Sequence, residues 1–582
     1  MKTWESALEG RTDLEQYGDN AIGLFALALR FSIEDLESVA ADAITDGADD
    51  KKCDILFVDR DERAAVIAQC YVAKSPRAAA PANKASDLNT AVAWLLHTPI
   101  NSVPPQLRSE AKGLRDAIRG GSIDTLHIWY VHNLPESKNV KNELDAVESA
   151  ASTAVKAHFE SSTLHVATHE VGSGTLSEWY ADSLTPILVD DEFEVDVSGG
   201  FLMTSDDWEG FVTAIPAQFL HKLYRNHKTK LFSANVRDYL GSRKSDQNIN
   251  HGIKETADND PKNFWVFNNG LTLLVNDFVV ESSKSRTRLS FKGVSIVNGA
   301  QTTGAIGSLK KAPSSTAFVP VRFIKTANSE VVNQIIRYNN SQNKVTAPDF
   351  RSTDRIQKRL KDEMTKIPKA EYEGGRRGGH EDAIRRRANL LPSYTVGQAL
   401  AAFHGEPIVA YNQKSDIWIL DNLYAKYFNE ETTAAHILFA YGLLRAVETR
   451  KVDLVQKSKQ RAASLTSLEE KQLGFFRNRG SIYLFVSAVA ACMETYLGRK
   501  VPNLFRLSFG SGLSPTQAQD LWMEIVLKTA PLSAHLEEAI SDGLKNSERV
   551  RKVIETFQGL VEVTAEANTK QYGDFAAKVR AR

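Results

Sequence analysis

CDILFVDRDERAAVIAQCYV, residues 53–72, is the segment that decides the fold of the first part of the chain. Within it, two runs rich in β-branched and aromatic residues, 53–58 and 65–72, flank the charged sequence DRDER. Two such runs on either side of a short polar turn predict a β-hairpin. A helical apolar pattern precedes this segment, and alternating strands and helices follow it, which predicts an α/β layer up to about residue 200.

Three side chains of the predicted hairpin suit metal-dependent cleavage of a phosphodiester. Asp54 opens the first strand, whereas Gln69 and Tyr71 share one face of the second, because side chains alternate along a strand. Carboxylate and carbonyl oxygens are the ligands that Mg²⁺ prefers, and a nearby cation helps to orient the attacking water. This layout is similar to the PD-(D/E)xK nuclease core, in which an acidic residue is followed one strand later by Glu or Gln, any residue, and Lys. We therefore expect Asp54 and Gln69 to be catalytic residues that hold Mg²⁺.

Tyr71 stands where that pattern has its lysine, so the predicted motif is incomplete. Lys74 is the candidate replacement, provided that the strand bends or ends before it. Glu37, on the preceding helix, could add a carboxylate, although a solvated helix face explains it as well. The alternative for Asp54 is a plain strand-edge carboxylate beside a turn. Whether the chain is a Mg²⁺-dependent nuclease is thus left open by the sequence.

Length and composition indicate a folded chain of several domains. With 582 residues the chain exceeds what one hydrophobic core accommodates, and 42% hydrophobic and 25% charged residues are typical of globular proteins. We predict an α/β and α+β multidomain fold. It comprises a restriction-endonuclease-like α/β domain at 1–200, a central α+β domain at 205–400 and an all-α domain at 401–582.

Charge and cysteine content exclude some classes of protein. The formal net charge of −1 means that any surface for nucleic acid must be local. Three scattered cysteines exclude a disulfide framework and favour a reducing cytoplasm. Apolar runs are too short to span a bilayer, and the N-terminus lacks the pattern of a signal peptide. We expect a cytoplasmic protein without a membrane partner.

Four segments of the central region combine Asn, Gln and Gly with aromatic or apolar neighbours: 231–241, 264–272, 296–303 and 337–343. Amides beside large apolar side chains are costly to bury unless their donors and acceptors are satisfied, so one shared polar site is predicted. We expect Trp265, Phe267, Asn268, Asn298, Gln301, Asn339 and Asn340 to converge there. The candidate contacts to a nucleotide or a nucleic-acid backbone are Asn235, Arg237, Asn268, Asn269, Asn298, Gln301, Arg337, Asn340 and Arg351.

Ordinary turns are the competing explanation, since Asn-Gly pairs accept positive φ angles. The order and spacing of FNNG, IVNGAQT and NNSQN nevertheless resemble the abortive-infection phage-resistance (AIPR) family, over roughly residues 225–510. The resemblance implies a role in bacterial phage defence and an AIPR domain at the centre of the chain. NGAQ at 298–301 also faintly resembles a ParB-like signature, which leaves a nucleotide-dependent DNA-associated switch as a third hypothesis.

A basic stretch follows, in which Arg376 and Arg377 are flanked by glycines in YEGGRRG at 372–378. Glycines let a backbone approach a phosphate closely, and clustered guanidinium groups neutralise phosphates. This segment is loosely similar to one of the AIPR family, and we expect the arginine pair to contact nucleic acid.

Two functions remain compatible with these patterns. The favoured one is an anti-phage effector that acts on nucleic acid, with a homodimer as a candidate assembly and with Mg²⁺ as cofactor if it cleaves. The alternative is a catalytically degenerate sensor that recognises a phage component, nucleic acid or nucleotide and acts through a partner, with Tyr71 marking a dead site.

Overall fold

A computed structural model describes residues 3–581, with gaps in the chain. The gaps are at 32, 34, 46–48, 160–163, 185–188, 228–230, 233–252, 254, 258, 284–286, 308, 310, 327, 329–330, 333, 336–350, 352–353, 374–388, 460–464, 511 and 542.

A four-stranded sheet forms the first part of the structure, in the order β1 (Ile55–Asp59), β2 (Ala64–Tyr71), β3 (Thr125–His132) and β4 (His165–Val171). β1 and β2 are antiparallel, whereas β2 pairs with β3 and β3 with β4 in parallel. The sheet is therefore mixed. The hairpin predicted from residues 53–72 is the antiparallel β1–β2 pair.

The turn of this hairpin is organised by one carboxylate. Asp59 Oδ1 accepts hydrogen bonds from the backbone N–H groups of Asp61 and Glu62, at 2.8 and 3.0 Å. Short acidic side chains favour turns because they bond their own backbone two residues on. Arg63 then takes a φ of 50° and bonds Asp124, the residue before β3, through both carboxylate oxygens. The charged sequence DRDER thus closes the hairpin and links it to the next strand.

Helices cover both faces of the sheet, each over its own hydrophobic core. One face carries α1 (Trp4–Glu9), α2 (Asn20–Phe31), α3 (Leu36–Ala43) and α8 (Ser173–Leu184), and the other carries α4 (Ala82–Ser86), α5 (Leu88–Val92), α6 (Pro105–Arg119) and α7 (Lys138–His158). Every residue of β2 from Ala64 to Cys70 is buried, as expected for a central strand with both faces covered.

A second, seven-stranded sheet has the order β5-β10-β8-β11-β7-β6, with β9 also paired to β10. Its elements are β5 (Val189–Val197), β6 (Gly200–Thr204), β7 (Glu209–Pro216), α9 (Ala217–His227), α10 (Phe264–Phe267), β8 (Leu271–Val275), β9 (Asp277–Ser282), β10 (Thr287–Asn298), α11 (Ala300–Gly307) and β11 (Phe318–Lys325). All pairs are antiparallel except β8 with β11. A separate core, which includes Leu220 of α9 and Ile306 of α11, covers one face.

Helices make up most of the remainder. They are α12 (Arg355–Met364), α13 (Ser393–Phe403), α14 (Pro407–Asn412), α15 (Asp416–Ile419), α16 (Asp421–Tyr427), α17 (Ala434–Lys459), α18 (Ser467–Phe476), α19 (Ser481–Ala491), α20 (Met493–Leu497), α21 (Pro515–Thr529), α22 (Ser547–Val563) and α23 (Thr569–Ala576). A short antiparallel pair, β12 (Leu507–Ser508) with β13 (Arg580–Ala581), joins the segment after α20 to the segment after α23. α17 is buried on all sides from Ala434 to Glu448, so it is the central helix of this core.

The helical part and the first sheet are joined by buried charges. Arg445 of α17 donates to Asp35 at 2.6 Å and to Glu448 at 2.7 Å. Desolvation opposes the ionised form of Asp35, but the guanidinium lowers the pKa of that carboxyl below its usual value. Arg479 makes a second link, because its Nη2 donates to the carbonyl oxygen of Leu56 in β1 at 3.2 Å.

The mixed α/β multidomain architecture is as predicted. One segment differs from what its sequence predicts. The apolar run FWVFNNGLTLLV predicts a strand over 264–275, but Phe264–Phe267 is a helical turn and the strand starts at Leu271, because the chain turns at Gly270 with a φ of 83°. The sequence also predicts a helix over 329–340, and the residues described there, 331–332 and 334–335, are helical.

The predicted boundaries at 200/205 and 400/401 stay a prediction. β5 starts at Val189 and belongs to the second sheet, while α12 and α13 lie before residue 404 and pack in the helical core. Among the described residues, no helix is long and apolar enough to cross a membrane.

Glu110 generates a testable pH dependence. Burial raises the pKa of its carboxyl to about 7, although Arg479 and Lys451 oppose the shift. The folded state therefore keeps a proton that the unfolded chain releases near its ordinary value of 4.5. The stability that the protonated Glu110 carboxyl contributes is complete below pH 4.5 and is lost as the pH rises through about 7.

We expect Glu110→Gln to flatten the decline in stability between acidic and slightly alkaline pH, by about 1–3 kcal/mol. Denaturant unfolding of wild type and variant across that range measures it. Glu524→Gln, an exposed position on α21, is the control and should follow wild type. Parallel curves for wild type and Glu110→Gln would contradict the assignment.

Candidate functional site

Asp54 lies directly before β1 and reaches across to β2. Its backbone N–H donates to Ala68 O at 2.9 Å, and its carboxylate Oδ2 accepts the backbone N–H of Cys70 at 2.7 Å. Gln69 is the residue between these two partners. The structure therefore places Asp54 and Gln69 on adjacent segments at one end of the hairpin, which is where the sequence pattern put them.

Gln69 carries an unsatisfied oxygen in a buried position. The residue is 5% exposed, and its Oε1 has no hydrogen-bond partner among the described residues. Tyr130, its register partner on β3, is fully buried, and its hydroxyl also lacks a partner there. Buried polar atoms are normally hydrogen-bonded, and each exception calls for an explanation, such as local strain, a catalytic role, an ion or an ordered water. These two atoms lie in neighbouring strands on the same face of the sheet.

Tyr71 ends β2 and is approached by two cations. Arg77 Nη1 donates to its hydroxyl at 3.3 Å, and Lys84 Nζ lies 5.2 Å from the centroid of its ring. Lys74, the predicted replacement for the lysine of the motif, lies three residues beyond the end of the strand and is exposed. Sequence reasoning missed Lys84, because no spacing rule links a residue of α4 to the end of β2.

The other carboxylates at this edge of the sheet have structural partners. Glu170 accepts the backbone N–H of Ser137 with both oxygens, at 3.0 and 3.1 Å, and lies 3.3 Å from His132 Nε2. Glu136 accepts the backbone N–H of Thr175 at 2.7 Å, which satisfies the start of α8 and lowers the pKa of the carboxyl despite its partial burial. Glu37 Oε2 lies 3.9 Å from Arg445 Nη1, among the buried charges that join the first sheet to the helical part. Within the described ranges, no group of three or more His, Cys, Asp or Glu side chains could hold a metal ion.

The FNNG and IVNGAQT segments contact each other in the second sheet. Asn268 Nδ2 donates to Thr302 Oγ1 at 3.2 Å, and Asn268 Oδ1 accepts the backbone N–H of Gly270 at 3.0 Å. Gly299, with a φ of 97°, packs on Leu271 so closely that a Cβ there would lie 2.1 Å from Leu271 Cδ2. The amide of Asn268 thus joins two tight turns at the start of α11.

The rest of the predicted amide site is only partly placed. Asn269 and Asn298 are exposed, as are Trp265 and Phe267 on α10. Arg351 bonds Trp418 O and Asp421 and lies over the ring of Tyr424, so it packs against the helical part. Gln301 lies in α11, but its side chain is outside the description, and the predicted residues Asn235, Arg237, Arg337, Asn339, Asn340, Arg376 and Arg377 lie outside the described residues.

Comparison with known proteins decides the family. The model of the AIPR protein family matches residues 232–555, more than half of the chain. The chain belongs to the AIPR family. Membership points to a bacterial anti-phage role of the abortive-infection kind. No curated protein and no solved structure matches significantly. The match of this AIPR protein begins after β7, so the first sheet and Asp54 lie outside it.

Gly270 provides a test of how tightly the FNNG turn is built. A Cβ there would lie 2.7 Å from the carbonyl oxygen of Pro320, a backbone atom that cannot move cheaply. Gly405 has the same φ of 83° but no atom within 4 Å of its hypothetical Cβ, so it is a matched control.

We expect Gly405→Ala to lose about 1 kcal/mol of stability from its backbone conformation alone. Gly270→Ala should lose a further 1–3 kcal/mol or so, because the methyl group overpacks the turn. Thermal unfolding of both variants measures the difference. Equal losses would show that the turn relaxes and that FNNG is not held by close packing.

Proposed function

We propose that this AIPR protein is an anti-phage effector that cleaves nucleic acid at a metal-dependent site formed by Asp54 and Gln69. One observation carries the proposal: Asp54 bonds the backbone beside Gln69, whose buried Oε1 has no partner in the described part of the chain. The mixed sheet with helices on both faces supports a restriction-endonuclease-like fold for this part.

The donor set suits a hard cation that prefers oxygen ligands, since Mg²⁺ is commonly held by one or two carboxylates together with waters. Asp54 would supply the carboxylate and Gln69 the carbonyl oxygen that is otherwise buried without a bond. A bound Mg²⁺ would lower the pKa of its water and polarise the phosphate. The backbone bond from Cys70 holds the Asp54 carboxylate in place, and the burial of β2 fixes Gln69.

The reaction is a hydrolysis. The oxygen of a water molecule bonds to phosphorus, and the bond from phosphorus to one sugar oxygen breaks. One proton of that water ends on the leaving sugar oxygen, and the other remains with or is released from the new phosphate monoester. No oxidant or reductant is needed, and water is the only co-reactant.

A second function remains, because Tyr71 cannot supply the amine of the nuclease motif. In that case the first sheet binds without cutting, and the protein is a sensor of a phage component, nucleic acid or nucleotide that acts through a partner. The exposed amides of Asn269 and Asn298 would then be contacts to the ligand.

Substitution of Asp54 separates the two functions. Asp54→Ala should abolish Mg²⁺- or Mn²⁺-dependent cleavage and phage protection, because the variant lacks a ligand of the ion and its activated water. Asp54→Asn keeps an acceptor for the Cys70 N–H and should fold, yet lose cleavage by at least about 100-fold. Asp145→Asn, exposed on α7, is the control. Full protection in cells that carry Asp54→Ala would refute the nuclease and leave the sensor.

Tyr71→Lys restores the residue that the motif has at this position. We expect higher cleavage than wild type, because the amine would lie on the same strand face as Gln69. Initial rates on labelled DNA and RNA with Mn²⁺ measure the gain. Unchanged or lower rates, with folding intact by circular dichroism, would show that the position does not need a lysine.

A further inference from the structure

Helix α4 places a lysine over the end of β2. Lys84 is half-buried, and its Nζ lies 5.2 Å from the centre of the Tyr71 ring. Ala85, the next residue of α4, belongs to the same hydrophobic core as Ile67 of β2. Ile67, Gln69 and Tyr71 point to one face because side chains alternate along the strand. Lys84 therefore lies on the face of the sheet that carries Gln69.

This ammonium group lies at the ring that stands where the motif has its lysine. A lysine at position 71 would start from the same Cα as Tyr71 and extend along the space that the ring occupies. Lys84 reaches the surface of that ring from α4, and the attraction between a cation and an aromatic face holds it there. Arg77 adds a second positive charge at the hydroxyl of Tyr71. The nearest acidic residue in sequence, Asp87, pairs with Lys52 at 3.6 Å, and no ion pair to Lys84 occurs within the described part of the chain.

We propose that Lys84, held over Tyr71, supplies the cation of the site and contacts the phosphate of the bound nucleic acid. The inference rests on the proposed function, since it concerns the same site. Lys74 is the rival. Lys74 lies beyond the end of β2 and is exposed, so ordering its long side chain on a phosphate would cost conformational entropy. Lys84 is already half-buried, so its side chain has less conformational freedom to lose.

Binding without metal tests the contact apart from catalysis. Affinity of the full-length protein for labelled DNA and RNA oligonucleotides is measured by fluorescence anisotropy in EDTA at increasing salt. Lys84→Gln should reduce the slope of log K against log salt by about 0.7–0.9, the value for one lost phosphate contact. Lys84→Arg keeps the charge and should keep the slope.

Lys156→Gln is the matched control for binding. Lys156 is exposed near the end of α7, the helix that returns from the end of β3 to the start of β4, and so it lies at the opposite end of the sheet. Its slope should equal that of wild type. An unchanged slope in Lys84→Gln, an equal loss in Lys156→Gln, or no binding by wild type would overturn the inference.

Cleavage assays distinguish this inference from the proposed function. With Mn²⁺, Lys84→Gln should cut about 100-fold more slowly than wild type, whereas Lys74→Gln should stay near wild type. Tyr71→Lys combined with Lys84→Gln should recover activity. If wild type cuts, Asp54→Ala does not, and Lys84→Gln cuts normally, the nuclease stands and Lys84 is wrong. If wild type does not cut, the proposed nuclease fails, and the binding slope alone decides whether Lys84 contacts phosphate.

Discussion

The register of β2 is the constraint on which the first sheet depends. β2 is antiparallel to β1 and parallel to β3, and it is buried from Ala64 to Cys70, so its polar groups must be satisfied within the protein. A shift by one residue would turn Gln69 to the opposite core and Cys70 to its place. The pairing that satisfies the backbone therefore also brings Gln69 beside Asp54 and Tyr130.

The helical part contributes to the rigidity of this arrangement through buried charges. Arg479 donates to the carbonyl of Leu56, two residues after Asp54, and Arg445 is enclosed by Asp35 and Glu448. Loss of one partner of a buried ion pair leaves an uncompensated charge, which costs more than an exposed pair ever contributes. The first sheet and its helices lie outside the matched family region, yet these contacts join them to helices inside that region.

Local patterns predicted the fold where local chemistry determines it. The β1–β2 hairpin followed from two β-rich runs and the turn-forming Asp59. The strand prediction from apolar residues was wrong at 264–267, where the run forms a helical turn and Gly270 bends the chain before β8. Asp54 and Gln69 were found by spacing, but Lys84 could not be, since only the packing of α4 brings it to Tyr71.

Tyr71 is consistent with a site that takes its charge from a helix. A strand lysine at this position would lay its aliphatic stem along the partly buried edge of the core and keep its amine towards solvent. A tyrosine instead adds its ring to the partly buried edge of that core, and the face of the ring attracts a cation that keeps its head group towards solvent. The Tyr71 ring thus gives Lys84 an aromatic face to lie on, so positive charge remains at the end of β2 although Tyr71 interrupts the sequence motif.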